Sequence, residues 1–133
     1  MAAYAPVVVH DGIVYLSGQL PRVGDLIVVA GAVGTEVSLE DARHGARIAL
    51  LRGLKALEDD LGSLDRIVRI LKLNVYVQSA PDFTEQSAVA DAASNLLFEL
   101  FSERGTHART AVGVAKLPKN ASIELDLIAA IDS

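Results

Sequence analysis

Ala108-Arg109-Thr110-Ala111-Val112-Gly113-Val114-Ala115, then Leu117-Pro118-Lys119-Asn120, then Ile123-Glu124-Leu125-Asp126-Leu127-Ile128, is the stretch on which the reading of this chain turns. The first run is apolar enough to lie inside a sheet, yet it opens on a fixed cation. An arginine at such an entrance must reach water, pair with an acid or hold an anion. The Leu-Pro-Lys-Asn segment has the composition of a turn. In the last run Glu124 and Asp126 share one face if the segment is a strand of period two. Strands are expected over 109–115 and 122–131. A cation and a carboxylate on neighbouring strands would suit a small anionic substrate.

Towards the N-terminus the same reasoning fills in the remaining elements. Ser38-Leu39-Glu40-Asp41 opens a helix, with a serine cap, an acid three residues later and two acids in the first turn. Ala42, Ala46, Ala49, Leu50, Gly53, Leu54, Leu57 and Leu61 recur at three- and four-residue spacing as one apolar stripe, and Gly62 stops it. Ile67 to Val77 is strand-prone. Pro81-Asp82 is expected to begin a second helix, with Val89, Ala92, Ala93, Leu96, Leu97 and Leu100 as its stripe and Gly105 as its end. Val7 to Val9 and Ile13 to Leu16 flank an Asp11-Gly12 turn and read as a hairpin that Ser17-Gly18-Gln19-Leu20-Pro21 closes. Arg22 to Val37, with Gly24, Gly31 and Gly34, reads as a loop holding at most a short strand at Leu26 to Val29. The order ββ(β)αβαββ predicts one α+β domain over 1–133, with both helices on one face of a mixed sheet.

Composition excludes several function classes. With no cysteine, thiolate chemistry and cysteine-bearing zinc sites are absent. His10, His44 and His107 show no metal-ligand spacing, so no metal is expected. A net charge of −5 argues against a nucleic-acid surface. The start has no basic leader, and the uncharged runs are too short to span a bilayer, so a soluble, unanchored cytoplasmic protein is expected. Apolar residues make up 51% of the chain and charged ones 22%, a surplus that a subunit interface would hide.

Ser17-Gly18-Gln19-Leu20-Pro21, taken with Ala108-Arg109, Leu117-Pro118 and Ile123-Glu124, resembles the reactive intermediate deaminase family, also called Rid or YjgF and once labelled endoribonuclease L-PSP. The resemblance runs from Tyr4 to Ile131. It implies a chorismate-mutase-like fold and a homotrimer with its helices outside a central barrel of sheets and clefts at the subunit interfaces. It further implies cofactor-free hydrolysis of 2-imino acids to 2-keto acids and ammonia. Position by position, Arg109 would clamp the substrate carboxylate and Glu124 would hold or activate water. Tyr4 and Ser17 would line the pocket, and Ala111 would offer backbone groups to the imine nitrogen. The chain departs from the better-known branch in three places: Ala111 stands where a cysteine is frequent, the Arg22 to Val37 loop differs, and Phe83 to His107 is longer. Asn95 is one candidate for the family's cleft asparagine. These departures mark a divergent sub-branch.

Plainer roles stand beside these. Arg109 is able to serve as an ion-pair partner of Glu124 or Asp126, and Glu124 to bind backbone amides or an arginine. Tyr4 is able to pack on a neighbouring subunit, and Ser17 to satisfy local backbone. His107 reads first as a loop residue and second as cleft lining. Glu58, Asp59 and Asp60 read as a solvated helix end. The alternative function is a non-catalytic trimer that binds 2-keto acids or related carboxylates and signals through a partner. Ribonuclease activity ranks below both, since no histidine pair lies on a basic surface.

Overall fold

In a computed structural model, residues 3–132 are described. Val7–His10 (β1) and Ile13–Gln19 (β2) form the expected hairpin around Asp11 and Gly12, both of which have positive φ. β2 continues past Leu16 to Gln19 through a register shift, so the Ser-Gly-Gln motif belongs to the strand rather than ending it. The following loop holds two two-residue strands, Arg22–Val23 (β3) and Leu26–Ile27 (β4), paired around Gly24 and Asp25.

The first helix (α1) spans Leu39–Leu61, with the limits its capping residues dictate. Ser38 accepts a hydrogen bond from the Asp41 amide, and Gly62 ends the helix in the left-handed region at φ 87°. Gly53 in its interior forgoes about 1 kcal/mol of helix propensity relative to alanine. A Cβ there would lie 2.6 Å from Leu16 Cδ2, so its absence lets the helix settle on the sheet. The second helix (α2) spans Gln86–Phe101, five residues later than Pro81 predicts. A turn closed by the Phe83 amide on Ala80 C=O comes first, and Glu85 has non-helical angles. A 3₁₀ turn over Ser102–Gly105 then leads out of α2.

Ile67–Gln78 (β5), Ala108–Val114 (β6) and Ile123–Ile131 (β7) complete a five-stranded mixed sheet of order β1-β2-β7-β5-β6. Only the β5–β6 pair is parallel. β5 therefore lies between β6 and β7, and the expectation that Arg109 and Glu124 sit on neighbouring strands is wrong. The physical reason is chain direction. The connector carries the chain from a strand parallel to β5 to one antiparallel to it, over the end of β5.

The register sorts every strand residue onto one of two faces. Val7, Leu16, Leu127, Leu73 and Arg109 form one row across the sheet, and the first four are core residues beneath the helices. Leu50, Leu57, Leu73, Leu97, Leu125 and Leu127 are fully buried there. Each contributes about 1.5–3 kcal/mol from apolar burial. On the opposite face, Val8, Tyr15 and Ile128 form one row, and Glu124, Tyr76 and Val112 another. No helix covers this face among the described residues, and Val8, Tyr15 and Val112 remain exposed.

Candidate functional site

Glu124 stands on the open face because β7 alternates strictly, with Ile123 and Leu125 turned into the core on either side of it. Its carboxylate packs against Gly18. A Cβ on that glycine would lie 2.1 Å from Glu124 Oε2, so the Ser-Gly-Gln glycine is the space that the acid occupies. Burial, and then the like charge of Asp126 two residues on, push the Glu124 pKa above the usual carboxylate range. Asp126 itself accepts a hydrogen bond from Asn74 at 2.8 Å. Tyr76, directly across the register from Glu124, is pushed up by burial and by both acids, so its phenol stays protonated.

A cleft of about 290 Å³ opens over this carboxylate, walled by Tyr4, Gln19, Arg22, Arg52, Pro118 and Lys119. One wall is the Leu-Pro-Lys-Asn connector, in which Lys119 and Asn120 both have positive φ, at 58° and 59°. Buried Gln78 holds that conformation. Its amide donates to Asn120 Oδ1 at 2.7 Å, and its Oε1 accepts from the Leu117 amide at 2.6 Å. A glutamine at the end of a strand gives no sign of this role in the sequence.

Arg109 lies elsewhere. Its row is the helix-facing one, and its guanidinium Nη1 donates to Asp91 Oδ1 at 2.8 Å and to Ser94 Oγ at 3.1 Å, both on α2. The ion-pair reading of Arg109 is thus correct in kind and wrong in partner, since neither Glu124 nor Asp126 reaches it. His107 joins the same network. Its Nε2 lies 2.8 Å from Ser94 Oγ and its Nδ1 lies 2.6 Å from Gly105 C=O. If Nδ1 carries the proton for that carbonyl, Nε2 accepts from the serine, whose lone pairs then face the arginine. Asn95 and Phe98 line the recess around Arg109.

Of the remaining expected site residues, Tyr4 is exposed and borders the Glu124 cleft. Ser17 Oγ donates to Ala5 C=O at 2.7 Å, which is the local backbone role. Ala111 packs its methyl beneath the helices. Along an extended strand the main-chain groups alternate in direction. Val114 C=O accepts from Ser79 on the β5 side, so those of Ala111 point to the free edge of β6. The chain thus presents two half-sites, Glu124 on the open face and Arg109 with Ala111 at the sheet edge. Sequence reasoning missed Asp91 and Ser94, whose spacing of three puts them on one face of the helix. It also missed Arg22 and Arg52, for which the sequence carries no signal. Among the described residues no cluster of metal-ligating side chains occurs and no helix is long and apolar enough to cross a membrane.

The family model described as Endoribonuclease L-PSP matches residues 1–131, and the chain belongs to that family, the Rid or YjgF proteins. Protein TCP17 of Trypanosoma cruzi is 41% identical over 120 residues, which cover 90% of this chain and 75% of that protein. The crystal structure of a protein of unknown function from Agrobacterium tumefaciens superposes with a TM-score of 0.96 at 42% identity, covering 98% of this chain and 83% of that one. A 2-iminobutanoate/2-iminopropanoate deaminase of Dermatophagoides farinae is 28% identical over 119 residues, 86% of this chain and 84% of the mite protein.

Proposed function

We propose that this chain is a cytoplasmic, single-domain, cofactor-free hydrolase that converts reactive 2-imino acids to 2-keto acids and ammonia, and so removes these intermediates before they damage other enzymes. The observation that carries the reading is the placement of its two chemical groups. Arg109 sits at a free sheet edge and Glu124 on the open face, on opposite sides of one sheet. A second copy set against that face would bring the arginine of one protomer to the carboxylate of the next, as in a homotrimer whose sheets line a central barrel. The kinship with an iminobutanoate deaminase supports the same reaction.

In this reading Arg109 clamps the substrate carboxylate through its planar fork, exchanging its contact with Asp91 for the ligand. The outward backbone of Ala111 holds the imine nitrogen, and Tyr4 closes the cleft. Glu124 takes a proton from water as the water oxygen bonds to the imine carbon and passes that proton to the imine nitrogen, which gives a neutral carbinolamine and restores the carboxylate. Glu124 then takes the carbinolamine hydroxyl proton and delivers it to the nitrogen, so that the carbon–nitrogen bond breaks, the carbonyl forms and ammonia leaves. A carboxylate whose pKa is pushed toward neutrality serves both steps, and general acid–base catalysis of this kind contributes about 10²- to 10⁴-fold.

Ketoacid release from imines generated by an amino-acid oxidase, trapped with semicarbazide, tests the proposal. Wild type is expected to accelerate release, and Arg109→Ala and Glu124→Gln to lose that acceleration. If Glu124→Gln retains it and Arg109→Ala loses only ligand binding, the chain is instead a carboxylate-binding module.

A further inference from the structure

The cleft over Glu124 differs in charge from the chain that forms it. The protein carries 12 Lys and Arg against 17 Asp and Glu, yet Arg22, Arg52 and Lys119 line this cleft with a single acid among them. They arrive from β3, α1 and the connector before β7, so no local sequence preference groups them. Among the described residues none of the three makes an ion pair, as holds for nine of the twelve Lys and Arg, with Lys55, Arg66 and Arg109 alone finding an acid; what sets the three apart is that they share one cleft. Arg52 spends one donor on a long 3.4 Å contact with Arg22 C=O. Lys119 departs from a backbone position that Asn120 and Gln78 hold in place.

Three cations lining one cleft with a single acid make its potential positive, and although solvent screens exposed Arg52 and Lys119, an incoming anion is favoured there. Glu124 is not that anion, since it forms no ion pair with any of them. None of the three pairs with the reacting carboxylate, which leaves them to a separate anionic group of the bound molecule. A monocarboxylic imine uses its single negative charge on Arg109 and leaves this group unoccupied.

We infer that the cleft selects 2-imino acids whose side chain ends in a second acidic group, a carboxylate, which Arg22, Arg52 and Lys119 receive while Arg109 of the neighbouring copy takes the α-carboxylate. This rests on the hydrolase reading above and adds the substrate class to it. The volume of about 290 Å³ accommodates a four- or five-carbon diacid.

The test compares imines formed in situ from D-alanine by D-amino-acid oxidase and from D-aspartate by D-aspartate oxidase, with both ketoacids trapped as semicarbazones. Wild type is expected to favour the dicarboxylic imine in kcat/KM by about tenfold or more, the scale of three partly exposed cation contacts. In the triple variant Arg22→Gln, Arg52→Gln, Lys119→Gln that ratio is expected to fall to near one. Equal treatment of both imines by wild type, or an unchanged ratio in the variant, overturns the inference. If wild type accelerates neither imine, the hydrolase reading fails and calorimetric titration decides the remaining question. Binding of 2-oxoglutarate about tenfold tighter than 2-oxobutanoate, lost in the triple variant, supports the anion site. Equal affinities, or no binding of the diacid, overturn it.

Discussion

Gly18 and Glu124 are fitted to each other so closely that the glycine can be used to move the acid. φ at Gly18 lies outside the left-handed region, so alanine fits the backbone, but its methyl would overlap Glu124 Oε2 and turn the carboxylate aside. Gly18→Ala is therefore expected to lower kcat/KM for imine hydrolysis by about 10²-fold, the scale of a displaced general base, with a melting temperature close to wild type. Full turnover in a folded Gly18→Ala protein would remove Glu124 from the chemistry. The raised Glu124 pKa also sets a stability trend. The folded state holds that proton more tightly than the unfolded chain, so stability falls as pH rises from the ordinary glutamate range through the raised value. Glu124→Gln is expected to abolish this component of the fall, read by urea denaturation across about pH 4 to 8. At Arg109, Ser94→Ala removes one of two side-chain restraints and the hydroxyl that donates to His107 Nε2. A hydrogen bond of about 1 kcal/mol predicts a KM roughly fivefold higher with kcat little changed, measured by steady-state kinetics.

Among the elements, α1 shows how far local chemistry reaches. Ser38, the first-turn acids, the stripe and Gly62 each act within a turn or two, and the helix has the limits they impose. Ser38→Ala is expected to cost about 1 kcal/mol in a denaturant titration, because it leaves the Asp41 amide without its acceptor. α2 starts later than its proline suggests, because Pro81 and Asp82 also suit a turn and Phe83 closes one with Ala80. The strands themselves were legible to within a residue or two at most ends, but their order was not. Alternation along β7 says that Glu124 and Leu125 face opposite ways. It does not say that β5 intervenes between β7 and β6, because strand pairing is fixed by where the helices carry the chain.

For the whole molecule, the proposed assembly sets a second copy against the open sheet face, where Tyr15, Val8 and Val112 are exposed. If each cleft takes Arg109 from one protomer and Glu124 from another, Arg109→Ala and Glu124→Gln chains co-expressed and purified together are expected to regain part of the activity that each lacks alone. A site contained in one protomer allows no such rescue, so complete inactivity of the mixed oligomers would exclude the shared cleft. Sedimentation of the same samples reports whether the chain assembles at all.

Most of the elements, the α+β class and the family are readable along the chain, because caps, periodicity and the Ser-Gly-Gln, Ala-Arg and Leu-Pro segments act through neighbours a few residues away. The sequence also singles out Glu124 and Arg109 as the residues with chemical settings. That they stand on opposite faces, that Asp91 and Ser94 hold the arginine, and that Arg22, Arg52 and Lys119 share one cleft emerge from the packed fold alone. The reason is that a side chain's direction follows from its own strand, whereas its company depends on every other element being in place.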